Sequence, residues 1–293
     1  VLLMDEFPEE ALLCPMLDAR RMEVYAAIYD RALNEVKATS ADIIDENSYK
    51  EYLDKQPVYF FGNGAAKCQE VLPDATFINI TPSARGLARL AEQINQSAAD
   101  VVCLQEVDRG ATRSDRVDMP ARLADMTELK HYYFIKIRDF QGGEYGTAIL
   151  SRYPITDSRT INYPVTIATQ GTSCGYAVLD VEGTAVTVYN THLSVENEEA
   201  NTETLCCLGD VLSEVRRRNG SFVCCGDFNT NPKKVARFIP WVEMAHKGLT
   251  TYADRSIDHI LCYGAISLQN TRTMDTQRDR VTDHNMVLTH VTV

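Results

Sequence analysis

Apolar runs that close on polar side chains recur along this chain. Asp100-Val101-Val102-Cys103-Leu104-Gln105-Glu106 predicts a buried strand ending in a polar pair, and Val186 to Leu193 predicts another ending on Asn190 and His192. A third, Val223-Cys224-Cys225, delivers Asp227 and Asn229 at a Gly turn. Side chains two residues apart on a strand share a face, so both are expected to point into one pocket. Ser256 to Ile260 and Thr282 to Asn285 each set an Asp beside a His at a strand edge. Leu87, Leu90, Ala91 and Ile94 recur at helical spacing within 83–96. Nearer the start, Met22–Tyr29 reads as a strand, Ser48–Lys55 as a short helix, and Pro57–Ala66 as a strand running through a Gly turn into a helix. Thr76-Phe77-Ile78-Asn79-Ile80 is a further short strand.

The five polar strand ends suit chemistry on a phosphoester. A carboxylate can hold a hard divalent cation, imidazoles can face phosphoryl oxygens, and a second carboxylate can deprotonate water. Each residue also has an ordinary use, since Asp and Asn make turns and an exposed Glu often ends a strand. His259 follows Asp258 in a strand, points to the opposite face and reads as structural. His131, His246 and His290 lie outside any motif and read as surface or packing residues. Asp108-Arg109 reads equally as a solvated turn or a substrate rim, and Arg113 and Arg116 as a helix-side surface, with phosphate contact the alternative. Arg216-Arg217-Arg218 before Asn219-Gly220 fits a helix C-terminus, and Trp241 beside Pro240 fits packing.

Residues from about 87 to 293 resemble the endonuclease/exonuclease/phosphatase superfamily. The resemblance rests on Leu104-Gln105-Glu106, Gly146-Thr147-Ala148-Ile149-Leu150-Ser151-Arg152-Tyr153-Pro154-Ile155, Gly226-Asp227-Phe228-Asn229, Ser256-Ile257-Asp258 and Asp283-His284, in that order. It implies a four-layer α/β/β/α sandwich that hydrolyses a phosphodiester or phosphomonoester with Mg²⁺ or Mn²⁺. By the resemblance Glu106 holds the metal with Asp283 nearby, Asp227 orients or deprotonates water, and Asn229 bonds a phosphate oxygen. His284, held by Asp258 or Asp227, faces the scissile phosphate. His192 is the second such imidazole, Glu144 orients it, and Asn190 lines the same pocket.

The first third resembles another family. Cys14-Pro15-Met16-Leu17-Asp18-Ala19-Arg20-Arg21-Met22-Glu23-Val24-Tyr25, with Phe61-Gly62-Asn63-Gly64-Ala65 and Pro82-Ser83-Ala84, is similar to the second half of the TsaB (YeaZ) family. That resemblance implies an incomplete actin/Hsp70-like lobe over 1–84, ahead of a hydrolase domain over 85–293. It further implies a non-catalytic module that binds a partner in making threonylcarbamoyladenosine on tRNA. A fusion of two partial domains, active or not, is the remaining expectation. The chain opens at Val1, which reads as the inside of a longer frame, and the hydrolase family's first strand, with its metal-site Asn, is not evident. Asn79, 27 residues before Glu106, is the one candidate to replace it. The rival reading makes 76–80 the last strand of the first lobe.

Composition narrows the substrate. The formal charge of −12 argues against a broad grip on long nucleic acid, although residues 86–293 hold a closer balance of 21 basic and 26 acidic side chains. A small phosphoester is at least as plausible. No run of 18 apolar residues suggests a membrane span. The nine cysteines include no recurring zinc spacing and suit free thiols in a reducing, cytoplasmic compartment.

Overall fold

In the computed structural model, residues 7–32, 34–78, 84–245, 249–276 and 282–293 are described. The chain divides into two compact units, Val1–Ser83 and Ala84–Val293.

The first unit holds β1 (Leu12–Asp18), β2 (Glu23–Tyr29), β3 (Glu35–Ile43), the short α1 (Lys50–Leu53), β4 (Val58–Phe61) and β5 (Thr76–Phe77). They form one five-stranded sheet in the order β3-β2-β1-β4-β5. β1, β2 and β3 pair antiparallel, while β4 and β5 join parallel to their neighbours. Its core gathers Met16, Val24, Ile28 and Phe60, all fully buried. Gly62 allows the chain to leave β4 close to β1, because a Cβ there would lie 2.4 Å from the Met16 carbonyl oxygen.

The second unit runs α2 (Ala84–Ser97), β6 (Val101–Arg109), α3 (Met119–Met126), β7 (His131–Phe140), β8 (Gly143–Ser151), β9 (Ile155–Asn162), β10 (Ser173–Val181), β11 (Thr184–His192), α4 (Glu198–Arg217), β12 (Phe222–Asp227), α5 (Pro232–Phe238), β13 (Glu243–Met244), β14 (Asp258–Tyr263), β15 (Ser267–Met274) and β16 (Met286–Thr292). Six strands pair in the order β13-β14-β12-β11-β10-β9, three as β6-β8-β7, and β15 pairs with β16.

Three apolar cores organise this unit. Ile135 and Ile149, from β7 and β8, pack against Ala177, Val188 and Val223 of the six-stranded sheet. Ala91 and Ile94 of α2 and Leu123 of α3 cover the β6-β8-β7 sheet on its other side, so the helical spacing at 87–94 belongs to the second unit. Leu205, Leu208 and Leu212 of α4 pack with Phe222, Phe228 and Leu261. Trp241 stacks edge-on against Phe222 and Tyr263, as the packing reading expected. The unit is a mixed α/β fold with several sheets, consistent with the deoxyribonuclease-like fold.

Of the two readings of 76–80, the described residues follow the second: Thr76 and Phe77 pair with Tyr59 and Phe60 in the sheet of the first unit, and Asn79 lies outside the described residues. Among the described residues, moreover, β6 and β16 each end their sheet with one edge unpaired. Both edges line a cavity of about 670 Å³ with apolar deeper walls, including Val102, Val186, Val188 and Val223.

Candidate active site

Strand register assembles the site. β11 and β12 run parallel with His192 opposite Asp227, while β12 and β14 run antiparallel with Asp227 opposite Asp258. Three neighbouring strand ends thus bring an imidazole and two carboxylates to one edge. Gly226 permits this approach, since a Cβ there would sit 2.2 Å from the Thr191 carbonyl oxygen.

Asp227, Asp258 and His284 offer ligand atoms that all lie within 4.8 Å of one another. His284 Nδ1 is 2.9 Å from Asp258 Oδ2, so of the two expected holders of His284 the hydrogen bond goes to Asp258. Asp258 is positioned in turn by its backbone, whose N–H donates to Thr251 Oγ1 at 3.2 Å. The Tyr252 ring packs against His284, with centroids 4.7 Å apart.

Electrostatics separates the titrating groups. Burial, then the neighbouring Asp258 charge, pushes the Asp227 carboxyl up to about 7. Burial, the largest single influence, opposes charge on His284, but the bond to Asp258 and the charges of Asp258, Asp227 and Asp283 together raise the imidazole above its ordinary value. His192 shifts down, chiefly because burial disfavours its cation. Its Nε2 lies 3.7 Å from Asp227 and 4.0 Å from Glu106.

Glu106 is reached by a bulge. β6 continues past it to Arg109, with a register shift between Leu104 and Val107. Glu106 takes φ of +56°, a left-handed conformation costing a non-glycine residue on the order of 1 kcal/mol. Such bulges re-aim side chains, and this one leaves Glu106 67% exposed beside His192. Asp283 is exposed and lines the same large cavity as Glu106, Asp227 and His284.

Several assignments need correction. Glu144 does not approach His192: its carboxylate accepts from Arg109 Nε at 2.6 Å and pairs with Lys136 at 3.0 Å. Its place on β8, opposite Arg109 and Asp139, turns it toward these cations. Asn190 is wholly buried and does not line the pocket. Its Nδ2 donates to the Leu104 and Ala148 carbonyls at 3.0 and 2.9 Å, and its Oδ1 accepts from Gln105 Nε2 at 2.8 Å. It ties the two facing sheets together behind the site. Asn229 is not aimed by strand alternation, because β12 ends at Asp227 and Asn229 sits in a left-handed turn at φ +49°. Its N–H donates to Asp227 Oδ1 at 2.7 Å and its Nδ2 to the Leu193 carbonyl at 2.9 Å.

Asp108 is buried and accepts two bonds from Arg113, at 2.7 and 2.9 Å, instead of forming a solvated turn. His259 is buried and bonded to the Thr230 carbonyl at 2.8 Å, in keeping with its structural reading. His246 lies outside the described residues. Sequence reasoning passed over Thr251 and Tyr252, which position Asp258 and His284; nothing in their spacing marked them.

The Endonuclease/Exonuclease/phosphatase family matches residues 74–284, and the chain belongs to that family. An endonuclease/exonuclease/phosphatase from Beutenbergia cavernae DSM 12333 is 21% identical with a TM-score of 0.59, over 75% of this chain and 67% of that one. The human Nocturnin catalytic domain with bound sulfate anion is 17% identical with a TM-score of 0.57, over 72% of this chain and 86% of that one. Mannosyl-6-phosphatase Bt3783 of Bacteroides thetaiotaomicron VPI-5482 is 13% identical with a TM-score of 0.55, over 71% and 91%. At these identities the likeness shows the fold alone. No curated protein matches the chain. The family match begins at residue 74 and lends nothing to the TsaB resemblance, to an actin-like lobe or to a fusion. That match includes the strand which the structure pairs with β4.

Proposed function

We propose that the second unit is a divalent-metal-dependent phosphoesterase that cleaves a phosphodiester or phosphomonoester with activated water. The observation that carries this reading is the Asp258–His284 pair beside the buried Asp227. Family membership supports it. Relatives by fold include one described as a phosphatase and one with a bound sulfate, a tetrahedral oxyanion.

The residues fit a hard cation. Glu106, Asp227, Asp258 and Asp283 line one cavity, and crowding of like charge contributes to the raised Asp227 carboxyl. Oxygen donors of this kind suit Mg²⁺ or Mn²⁺. Glu106 and Asp283 are the residues that would hold the ion; when bound, it neutralises charge on the phosphoryl group. His284 donates a hydrogen bond to a phosphoryl oxygen, its charged form favoured by Asp258. Asp227 takes a proton from water, whose oxygen attacks phosphorus as the ester oxygen leaves. A base titrating near neutrality suits this task. His192, whose neutral form is favoured, contributes a second hydrogen bond to the phosphate, and the Asn229 turn fixes the Asp227 carboxylate.

The test is turnover of bis(p-nitrophenyl) phosphate and p-nitrophenyl phosphate with Mg²⁺ or Mn²⁺. Metal-dependent turnover supports the reading, and the preferred ester separates diesterase from phosphatase. Absence of both turnover and Mn²⁺ binding in folded protein contradicts it.

A further inference from the structure

Two strand edges of the second unit face one apolar space. Among the described residues the outer edges of β6 and β16 have no partner, and the two strands do not pair with one another. Residues 101–107 of β6 and 286–291 of β16 line the same cavity of about 670 Å³. An open edge presents a row of backbone N–H and C=O groups that need partners when removed from water. The walls beside these rows are apolar. Leu179, Val186, Val188 and Val223 of the six-stranded sheet form one, and Leu90 of α2, which covers the other side of the β6 sheet, contributes to another.

Occupants of such a space differ in what they satisfy. An acyl chain or another apolar small molecule suits the valines but leaves both rows of backbone groups unbonded. A helix bonds its own backbone and offers nothing to either edge. An extended polypeptide bonds β6 on one side and β16 on the other, while its side chains meet apolar walls on both faces. β6 runs toward Glu106 and β16 runs away from His284, so such a strand lies parallel to one and antiparallel to the other. Burial on both faces calls for a continuous apolar run rather than an alternating one. Glu106, Asp227, Asp258 and Asp283 line the same cavity and disfavour acidic side chains in its occupant.

We propose that this cavity is a docking slot for a β-strand from a different polypeptide, about six residues long, apolar on both faces and free of acidic side chains. The docked strand joins the β6-β8-β7 sheet to β15-β16. It thereby links the strand that carries Glu106 to the strand that follows His284. The slot goes beyond the phosphoesterase reading and does not depend on it.

The probe is an end-capped, fluorescently labelled heptapeptide, Gln-Val-Val-Thr-Val-Val-Gln, added to the full chain. Saturable anisotropy is expected, with amide exchange at 101–107 and 286–291 slowed by about tenfold or more, since open edges exchange fast in the free protein. The same peptide N-methylated at alternate residues keeps its side chains and loses its donors to one edge. It is expected to bind about tenfold more weakly or worse, because acceptors in the slot are left unbonded. Replacing both glutamines by glutamate is expected to weaken binding severalfold, and Val186→Trp, which fills the slot, to abolish it. Equal binding of the N-methylated peptide overturns the proposal, since an apolar pocket would not distinguish the two. Absence of binding by wild type, or edges already protected in the free protein, also overturns it. Protection that rises with protein concentration in the absence of peptide assigns the slot to a second copy of this chain and overturns the external partner.

Discussion

His284 Nδ1 lies 2.9 Å from Asp258 Oδ2, and Asp258 is the chief group favouring charge on this imidazole. Against burial, the bond and charge of Asp258, with the charges of Asp227 and Asp283, raise the His284 pKa. Asp258→Asn removes the carboxylate while keeping an acceptor oxygen. The His284 pKa, followed by NMR titration, is expected to fall, and kcat to drop by roughly a hundredfold, the scale of a general acid-base contribution. An unmoved His284 titration would break the link between the pair and catalysis.

Asp227 makes a second, opposite-looking prediction. Burial, then the Asp258 charge, pushes its carboxyl up to about 7, well above the ordinary 3.8. The native state therefore binds more protons than the unfolded chain between these values, so this group's stabilising contribution is lost as pH rises through about 7. In metal-free protein Asp227→Asn is expected to raise Tm relative to wild type at about pH 8, with less gain at about pH 5. Thermal unfolding in chelator at both pH values checks it; an equal shift at both would refute the burial argument.

The correction at Glu144 is directly testable. Because its partners are Arg109 and Lys136, Glu144→Gln is expected to lower kcat by less than about threefold and leave the His192 titration in place. A general-base-sized loss with a shifted His192 would restore the orienting role.

Asn190 instead carries a structural cost. Asn190→Ala strands the buried Ala148 carbonyl and removes a partner from the half-buried Leu104 carbonyl and Gln105 amide. Destabilisation of about 1–3 kcal/mol in urea unfolding is expected, from a buried polar group left unpaired. A loss below about 0.5 kcal/mol, within the range of a neutral surface change, would contradict this.

Glu203 anchors the loop at 166–168 by accepting the N–H groups of Thr166, Ile167 and Ala168. The Ala168 bond, with those from Thr166 and Ile167 and against desolvation, lowers its pKa to about 2 from the ordinary 4.5. Its stabilising contribution is present above the unfolded pKa and lost as pH falls from about 4.5 toward 2. Amide exchange at 166–168 should accelerate over that window in wild type, and be fast throughout in Glu203→Ala.

The site's strand ends were legible in the sequence because apolar runs of period 2 mark buried strands and the polar residues closing them are few. Asp227, Asp258 and His284 were each visible this way, and register then set His192 and Asp258 beside Asp227. Misassignments arose where a local irregularity overrides alternation. The bulge at Glu106 carries β6 on to Arg109, and the left-handed turn removes Asn229 from the strand. Glu144 and Asn190 failed for another reason: their partners are set by pairing between strands distant in sequence, which spacing along the chain does not encode. The strand at Thr76 fits either sheet by its pattern alone, and pairing with β4 settles its described residues in the first unit.

The most direct test of the central claim is hydrolysis of bis(p-nitrophenyl) phosphate with Mn²⁺ by wild type and Asp227→Asn, both shown to be folded. Metal-dependent turnover by wild type, reduced by about a thousandfold or more in Asp227→Asn, is the expected result for loss of the group that activates water. Equal turnover by the two proteins would mean that the cluster of Asp227, Asp258 and His284 is not where the ester is cleaved.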